Sequence, residues 1–147
     1  MVDEIFRPLH LAISVSDAET AIKWFEDILS FELLRKAEAA VSGLKVAFMS
    51  NRDGFEIEIF QHKEYIELPP DRLTPSRDNQ ICGTKHIAFI TKDVDELATY
   101  FNSKNVEIVM GPMEAFGMYV MFIHGPDNIL IEFIQKKCDQ KKGDTTK

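Results

Sequence analysis

The chain predicts an α+β fold: two tandem βαβββ modules forming a curved mixed sheet around a shared metal-binding cleft. Three observations lead there. A strand with a histidine near its start occurs twice, as Leu9-His10-Leu11-Ala12-Ile13 and as Lys85-His86-Ile87-Ala88-Phe89-Ile90. An apolar strand carrying a glutamate also occurs twice, as Phe55-Glu56-Ile57-Glu58-Ile59-Phe60 and as Ile129-Leu130-Ile131-Glu132-Phe133-Ile134. The histidines are 76 residues apart and Glu58 and Glu132 are 74 apart; Val46-x-Phe48 with Val120-x-Phe122, and Asp53 with Asp127, keep the offset of 74. A repeat that holds its spacing through strand, turn and strand marks a duplicated supersecondary unit.

The elements follow in order. Residues 9–15 alternate, with His10, Ala12 and Ser14 on one face and Leu11, Ile13 and Val15 on the other, the pattern of a half-buried strand. The small residues on the His10 face leave room beside the imidazole. Asp17 is placed to cap a helix. Its buried stripe is Ile22, Phe25 and Leu29, and Ser30 ends it. Residues 31–36 and 44–49 read as strands, with a small-residue loop between them. Asn51-Arg52-Asp53-Gly54 is a turn, Asp-Gly being the hairpin signal.

Residues 61–83 break the pattern, because Pro69-Pro70 and Pro75 exclude regular sheet. A linker or lid of that length is commonly functional. The plan then restarts. Asp93 repeats Asp17 as a cap, Glu96 completes a capping box, and Val94, Leu97 and Phe101 form the stripe. Residues 106–110, 119–123 and 129–134 are strands, separated by a loop at Phe116-Gly117 and a turn at Gly125-Pro126-Asp127-Asn128. The expected organisation is one domain over residues 1–136, with module one at 8–62, a linker at 63–84 and module two at 85–136. A polar tail, expected to be unfolded, occupies 137–147.

Composition narrows the function. A chain of 147 residues forms one core of useful size. Its net charge of −7 and the lack of a basic stripe argue against a nucleic-acid partner. The apolar runs are far too short for a membrane partner, and the acidic start, Met1-Val2-Asp3-Glu4, lacks the layout of a secretory signal. Two cysteines, Cys82 in the linker and Cys138 in the tail, read as free thiols of a cytoplasmic protein. A homodimer is the base expectation.

The chemistry rests on four residues. A lone carboxylate in an apolar strand, as Glu132 is, costs several kcal/mol to bury unless it is paired or binds a metal. Taken singly, Glu132 and Glu58 also read as solvent-facing strand residues, and His10 and His86 as packed ones. Taken together, two His and two Glu at duplicated positions are a ligand set for one divalent metal ion: Zn, Ni, Co, Mn or Fe. All four lie on the face away from the helices. His62 and His124, the other two histidines, read as surface or cleft-rim residues. A substrate with adjacent oxygens could chelate the open positions of such an ion, which would stabilise an enediolate while a glutamate moves the proton.

On these residues, and on Trp24-Phe25-Glu26-Asp27-Ile28-Leu29-Ser30-Phe31, the chain resembles the vicinal oxygen chelate superfamily, the glyoxalase/bleomycin resistance/dioxygenase proteins, over residues 8–135. The resemblance implies that His10, Glu58, His86 and Glu132 bind the metal, and that Glu58 and Glu132 are catalytic. The complete His-Glu-His-Glu set looks like glyoxalase I, a lactoylglutathione lyase acting on a hemithioacetal or α-hydroxycarbonyl. The linker, Gly43-Leu44-Lys45-Val46-Ala47-Phe48 and Phe122-Ile123-His124-Gly125-Pro126 look similar to methylmalonyl-CoA epimerase, which acts on an acyl-CoA thioester. That subfamily's catalytic acid would fall at Val41, with Glu38 the nearest acid upstream. A metal-free protein that binds a small molecule, such as an antibiotic, is the alternative of another class.

Overall fold

The computed structural model describes residues 7–137. The lead-in before Arg7, the tail from Cys138 onward and that cysteine itself lie outside the described residues. The elements run β1 (His10–Ser14), α1 (Ala18–Leu29), β2 (Glu32–Glu38), β3 (Lys45–Ser50), β4 (Glu56–Gln61), α2 (Pro75–Asp78), β5 (Ile87–Ile90), α3 (Val94–Ser103), β6 (Ile108–Ala115), β7 (Met118–His124) and β8 (Leu130–Lys136). Short 3-10 turns at Pro70–Arg72 and Pro126–Asn128 complete the chain. The fold is α+β, with two tandem βαβββ modules.

There are two four-stranded mixed sheets, ordered β1-β4-β3-β2 and β5-β8-β7-β6. The orders match strand for strand. In each sheet the first strand pairs in parallel with the last of its module, and the other pairs are antiparallel. The parallel pair forces the crossover that α1 and α3 supply. By packing, the chain divides into two compact units. One runs up to Pro70 and includes Gly125–Ile129; the other runs from Asp71 to His124 and resumes at Leu130.

In the first unit, α1 forms where its ends are satisfied and one face is apolar. The Asp17 carboxylate accepts the N–H of Thr20 at 2.7 Å, and Ser30 closes the helix in the left-handed region at φ 55°. Ala18, Ala21, Ile22 and Phe25 are buried on its inner face. They meet Ala47, Met49, Ile57 and Ile59 from β3 and β4, all with no more than 1% of their surface exposed. Met49, Ile57 and Ile59 each contribute about 1.5–3 kcal/mol on burial. The turn at 125–129 belongs to this unit through Asp127, whose carboxylate accepts the N–H of Ser16 at 3.0 Å.

The second unit repeats the scheme. Asp93 accepts the N–H groups of Asp95 and Glu96, each at 2.9 Å. The expected capping box is only half made: the N–H of Asp93 meets Thr91 Oγ1 at 3.4 Å rather than Glu96. Val94, Ala98 and Phe101 pack on Met121, Ile123 and Ile131.

Two stretches differ from expectation. β6 continues to Ala115, beyond the predicted end at residue 110, although it contains Gly111 and Pro112. Its register with β7 shifts between Met110 and Met113, so the irregularity is absorbed inside the strand rather than ending it. The linker holds the one-turn helix α2, tied down by a buried charge. Asp78 is 1% exposed; Arg72 Nε donates to its Oδ1 at 2.7 Å, and Lys85 Nζ lies 3.4 Å from the same oxygen. Lys85 also donates to the carbonyls of Asp78, at 2.7 Å, and of Ile81. Burial pushes the Asp78 carboxyl up, but the bonds and charges of Arg72 and Lys85 outweigh it and hold the group below the usual carboxylate range.

Candidate functional site

In the first unit, His10 and Glu58 come together. They sit on β1 and β4, which pair in parallel with Ala12 opposite Glu58. His10 lies two residues before Ala12, on the same face of the strand. Its imidazole leans past the alanine, and Nε2 stands 2.9 Å from Glu58 Oε2. The side chains are 29% and 16% exposed, so both remain open to a ligand. Phe48 on β3 is directly opposite Glu58. The His10 ring meets the Phe48 ring edge to face, with centroids 6.4 Å apart.

The second unit gives the same picture. Ala88 is opposite Glu132 on β5 and β8, and His86 just precedes β5. His86 Nε2 stands 3.0 Å from Glu132 Oε2, with side chains 27% and 14% exposed. Phe122 is opposite Glu132 and packs edge to face on His86, with centroids 5.1 Å apart. Each pair presents one imidazole nitrogen and one carboxylate oxygen at a single point. That is a donor set suited to half the coordination of a zinc-like or harder divalent ion. Among the described residues, no group of three or more His, Cys, Asp or Glu side chains is positioned to hold a metal ion.

The remaining candidates fall elsewhere. His62 folds back on its own turn, where its Nδ1 meets the backbone of Glu64. His124 is more enclosed than the rim position expected of it, with its side chain 14% exposed. Its Nδ1 meets Glu107 Oε2 at 3.0 Å, and its Nε2 donates to the Leu73 carbonyl at 2.8 Å. His124 thus fastens the linker to β7. Cys82 is a free, exposed thiol. Val41 is fully exposed at the loop between β2 and β3. Glu38 pairs with Lys45; by alternation from Phe48, that position is on the sheet face opposite the His10–Glu58 pair.

Two residues that sequence pattern alone does not single out brace both sites. Gln61 Oε1 accepts the N–H of Ala18 at 2.8 Å, and Gln135 Oε1 accepts the N–H of Val94 at 2.8 Å. Each fastens the first turn of its helix to the strand that carries the glutamate. Their offset of 74 residues, the same as that of the glutamates, was the available signal.

Residues 7–133 match the family model described as the glyoxalase/bleomycin resistance protein/dioxygenase superfamily. The chain belongs to that superfamily. Among curated members it is similar to a lactoylglutathione lyase of Haemophilus influenzae, 29% identical over 133 residues that span 88% of this chain and 92% of that one. It is also similar to a virulence protein of Salmonella typhimurium, at 27% identity over 86% of this chain and 81% of that protein. An uncharacterised Escherichia coli protein matches at 25%. Among solved structures, the glyoxalase family protein from Enterococcus faecalis superposes with a TM-score of 0.73 at 21% identity, covering 88% of this chain and 97% of that one. Glyoxalase I from Zea mays gives 0.69 at 24%, over 90% of this chain and 45% of that one. These likenesses between structures establish the glyoxalase fold.

Proposed function

We propose that this glyoxalase-family protein is a divalent-metal-dependent lyase or isomerase of the glyoxalase I type, acting on a hemithioacetal or a related α-hydroxycarbonyl. The observation that carries this reading is the pair of His–Glu contacts, His10–Glu58 and His86–Glu132, which share one geometry and one degree of exposure in two modules. The two pairs together would supply four donors to one ion, within one chain or between two copies. Such an ion, when bound, would supply Lewis acidity to adjacent oxygens of the substrate.

The chain's own residues account for the rest. Glu58 and Glu132 are oriented by their histidines and are the only acidic groups of the donor set, so one of them is the proton carrier between the two carbons of the substrate. Phe48 and Phe122 flank the glutamates and limit access of water to that transfer. Lactoylglutathione lyases recur among the curated relatives, at 27–29% identity. This supports the class of reaction without fixing the thiol. The epimerase reading lacks its acid: Val41 occupies the expected position, and Glu38 is on the other face of the sheet.

The test is turnover of the methylglyoxal–thiol hemithioacetal by metal-loaded protein. Glu58→Gln and Glu132→Gln should each lower kcat by about 10²–10⁴-fold, the range of a lost general base, with the far-UV circular dichroism unchanged. Full activity in both variants would refute the proposal.

A further inference from the structure

From the geometry of sheet one we infer that Arg35 is an anion-recognising specificity residue, and that the substrate carries a carboxylate to meet it. This rests on the functional reading above and extends it. The row of residues across the first sheet runs His10, Glu58, Phe48, Arg35: Glu58 is opposite Phe48, and Phe48 is opposite Arg35. Residues directly opposite one another share a face, so the guanidinium is on the same face as the His10–Glu58 pair. Its Cζ stands 3.9 Å from the centroid of the Phe48 ring, a ring that His10 also meets.

A β-bulge puts it there. β2 and β3 pair Glu32 with Ser50 and Leu33 with Met49, then skip Leu34 and pair Arg35 with Phe48. Without the extra residue, Leu34 would be opposite Phe48 and Arg35 opposite Ala47, whose side chain is buried under α1. The bulge therefore turns Arg35 from the helix side to the site side, a common use of bulges beside functional sites. The next residue, Lys36, is on the helix side, where its Nζ donates to Glu19 at 2.8 Å.

The second sheet has the same bulge and a different residue. There Ile108 pairs with Ile123 and Met110 with Phe122, so Met110 occupies the position of Arg35. The duplicated frame delivers a cation in one half and an apolar thioether in the other. Arg35 is exposed, and no carboxylate among the described residues forms an ion pair with it. A guanidinium resting on an aromatic ring keeps its N–H edges free for planar, two-point contact with a carboxylate. Glu58 and Arg35 are two strands apart, about 10 Å by strand spacing. The anion would therefore sit at the far end of a small molecule from the reacting carbons.

The test uses hydroxamates, which chelate a metal through adjacent oxygens. Three probes share the same polymethylene spacer, long enough to reach about 10 Å, and end in a carboxylate, a methyl ester or an ammonium group. Their binding to the zinc-loaded full chain is followed by titration calorimetry. The expected result is that the carboxylate probe binds about tenfold or more tighter than the ester, as a charge-assisted bond allows, and the ammonium probe weakest. Arg35→Met, which installs the residue of the other half, should abolish this preference while leaving zinc content and ester affinity unchanged. If Arg35→Met loses zinc, the ranking of the three probes on the unmodified chain decides alone. Equal binding of all three, or a preference that survives in Arg35→Met, overturns the role of Arg35 and leaves the metal reading intact. Failure of all three to bind, in a chain that retains no zinc, overturns the metal reading, and the inference falls with it.

Discussion

Glu58 is in register with Ala12, yet its carboxylate meets His10 at 2.9 Å, one step diagonally across the parallel pair β1–β4. Glu132, Ala88 and His86 repeat the relation at 3.0 Å. The contact exists because the residue opposite each glutamate is an alanine. A larger side chain there would fill the space into which the imidazole leans. The methyl groups of Ala12 and Ala88 are therefore as much a part of the candidate site as the donors themselves.

Replacing Ala12 with leucine should separate His10 from Glu58 without removing a donor. Ala12 is exposed, so the fold should tolerate the change. Metal affinity is expected to fall by about 10–100-fold, as for lost outer-shell support. Competition with a chromophoric chelator measures this, and an unchanged affinity would show that the diagonal contact is incidental.

Gln61→Ala and Gln135→Ala should each destabilise the chain by about 1 kcal/mol, the cost of leaving a helix-start N–H without its acceptor. The two residues lie in different units, so the double variant should show the sum of the two losses. Urea denaturation followed by circular dichroism reads this directly. A loss in one variant only would mean that the two braces are not equivalent.

The duplication was readable from sequence because identical residue types recur at fixed offsets: His10 with His86, Glu58 with Glu132, Phe48 with Phe122. Burial patterns and both helix caps followed from local chemistry, as at Asp17 and Asp93. What was not readable depends on contacts between distant parts of the chain. Gln61 and Gln135 look like ordinary strand-end polar residues until the helix is packed beside them. The bulge at Leu34 is a matter of register between strands and leaves no mark in the alternation of β2, where four of seven positions from Glu32 to Glu38 are charged. Helix α2 is too short for periodicity and forms around the Asp78 charge cluster. The extension of β6 was hidden by Gly111-Pro112, a pair that ordinarily ends a strand.

Asp78 carries a specific pH dependence. Its carboxyl is held below the ordinary value of 3.8, since its bonds to Arg72 and Lys85 outweigh the effect of burial. A depressed carboxylate contributes stability that is complete above its unfolded-state value and is lost as pH falls through its lowered, folded-state value. The linker should therefore hold its place at neutral pH and loosen only below about pH 4. Asp78→Ala should cost about 2–3 kcal/mol at neutral pH, because it leaves two half-buried cations without their anion. It should also flatten the acid limb of the stability curve. Thermal melts between pH 3 and pH 7 test both points, and an acid limb that is the same in Asp78→Ala as in the parent chain would contradict the assignment.

The most direct test of the account is elemental analysis of untagged protein, never exposed to chelator, beside His86→Ala and His10→Ala. About one divalent ion per chain is expected, lost in both variants while circular dichroism shows the fold retained. Protein without metal, and with no gain in thermal stability on adding zinc, nickel, cobalt or manganese, would contradict the metal site and point instead to a metal-free binding protein.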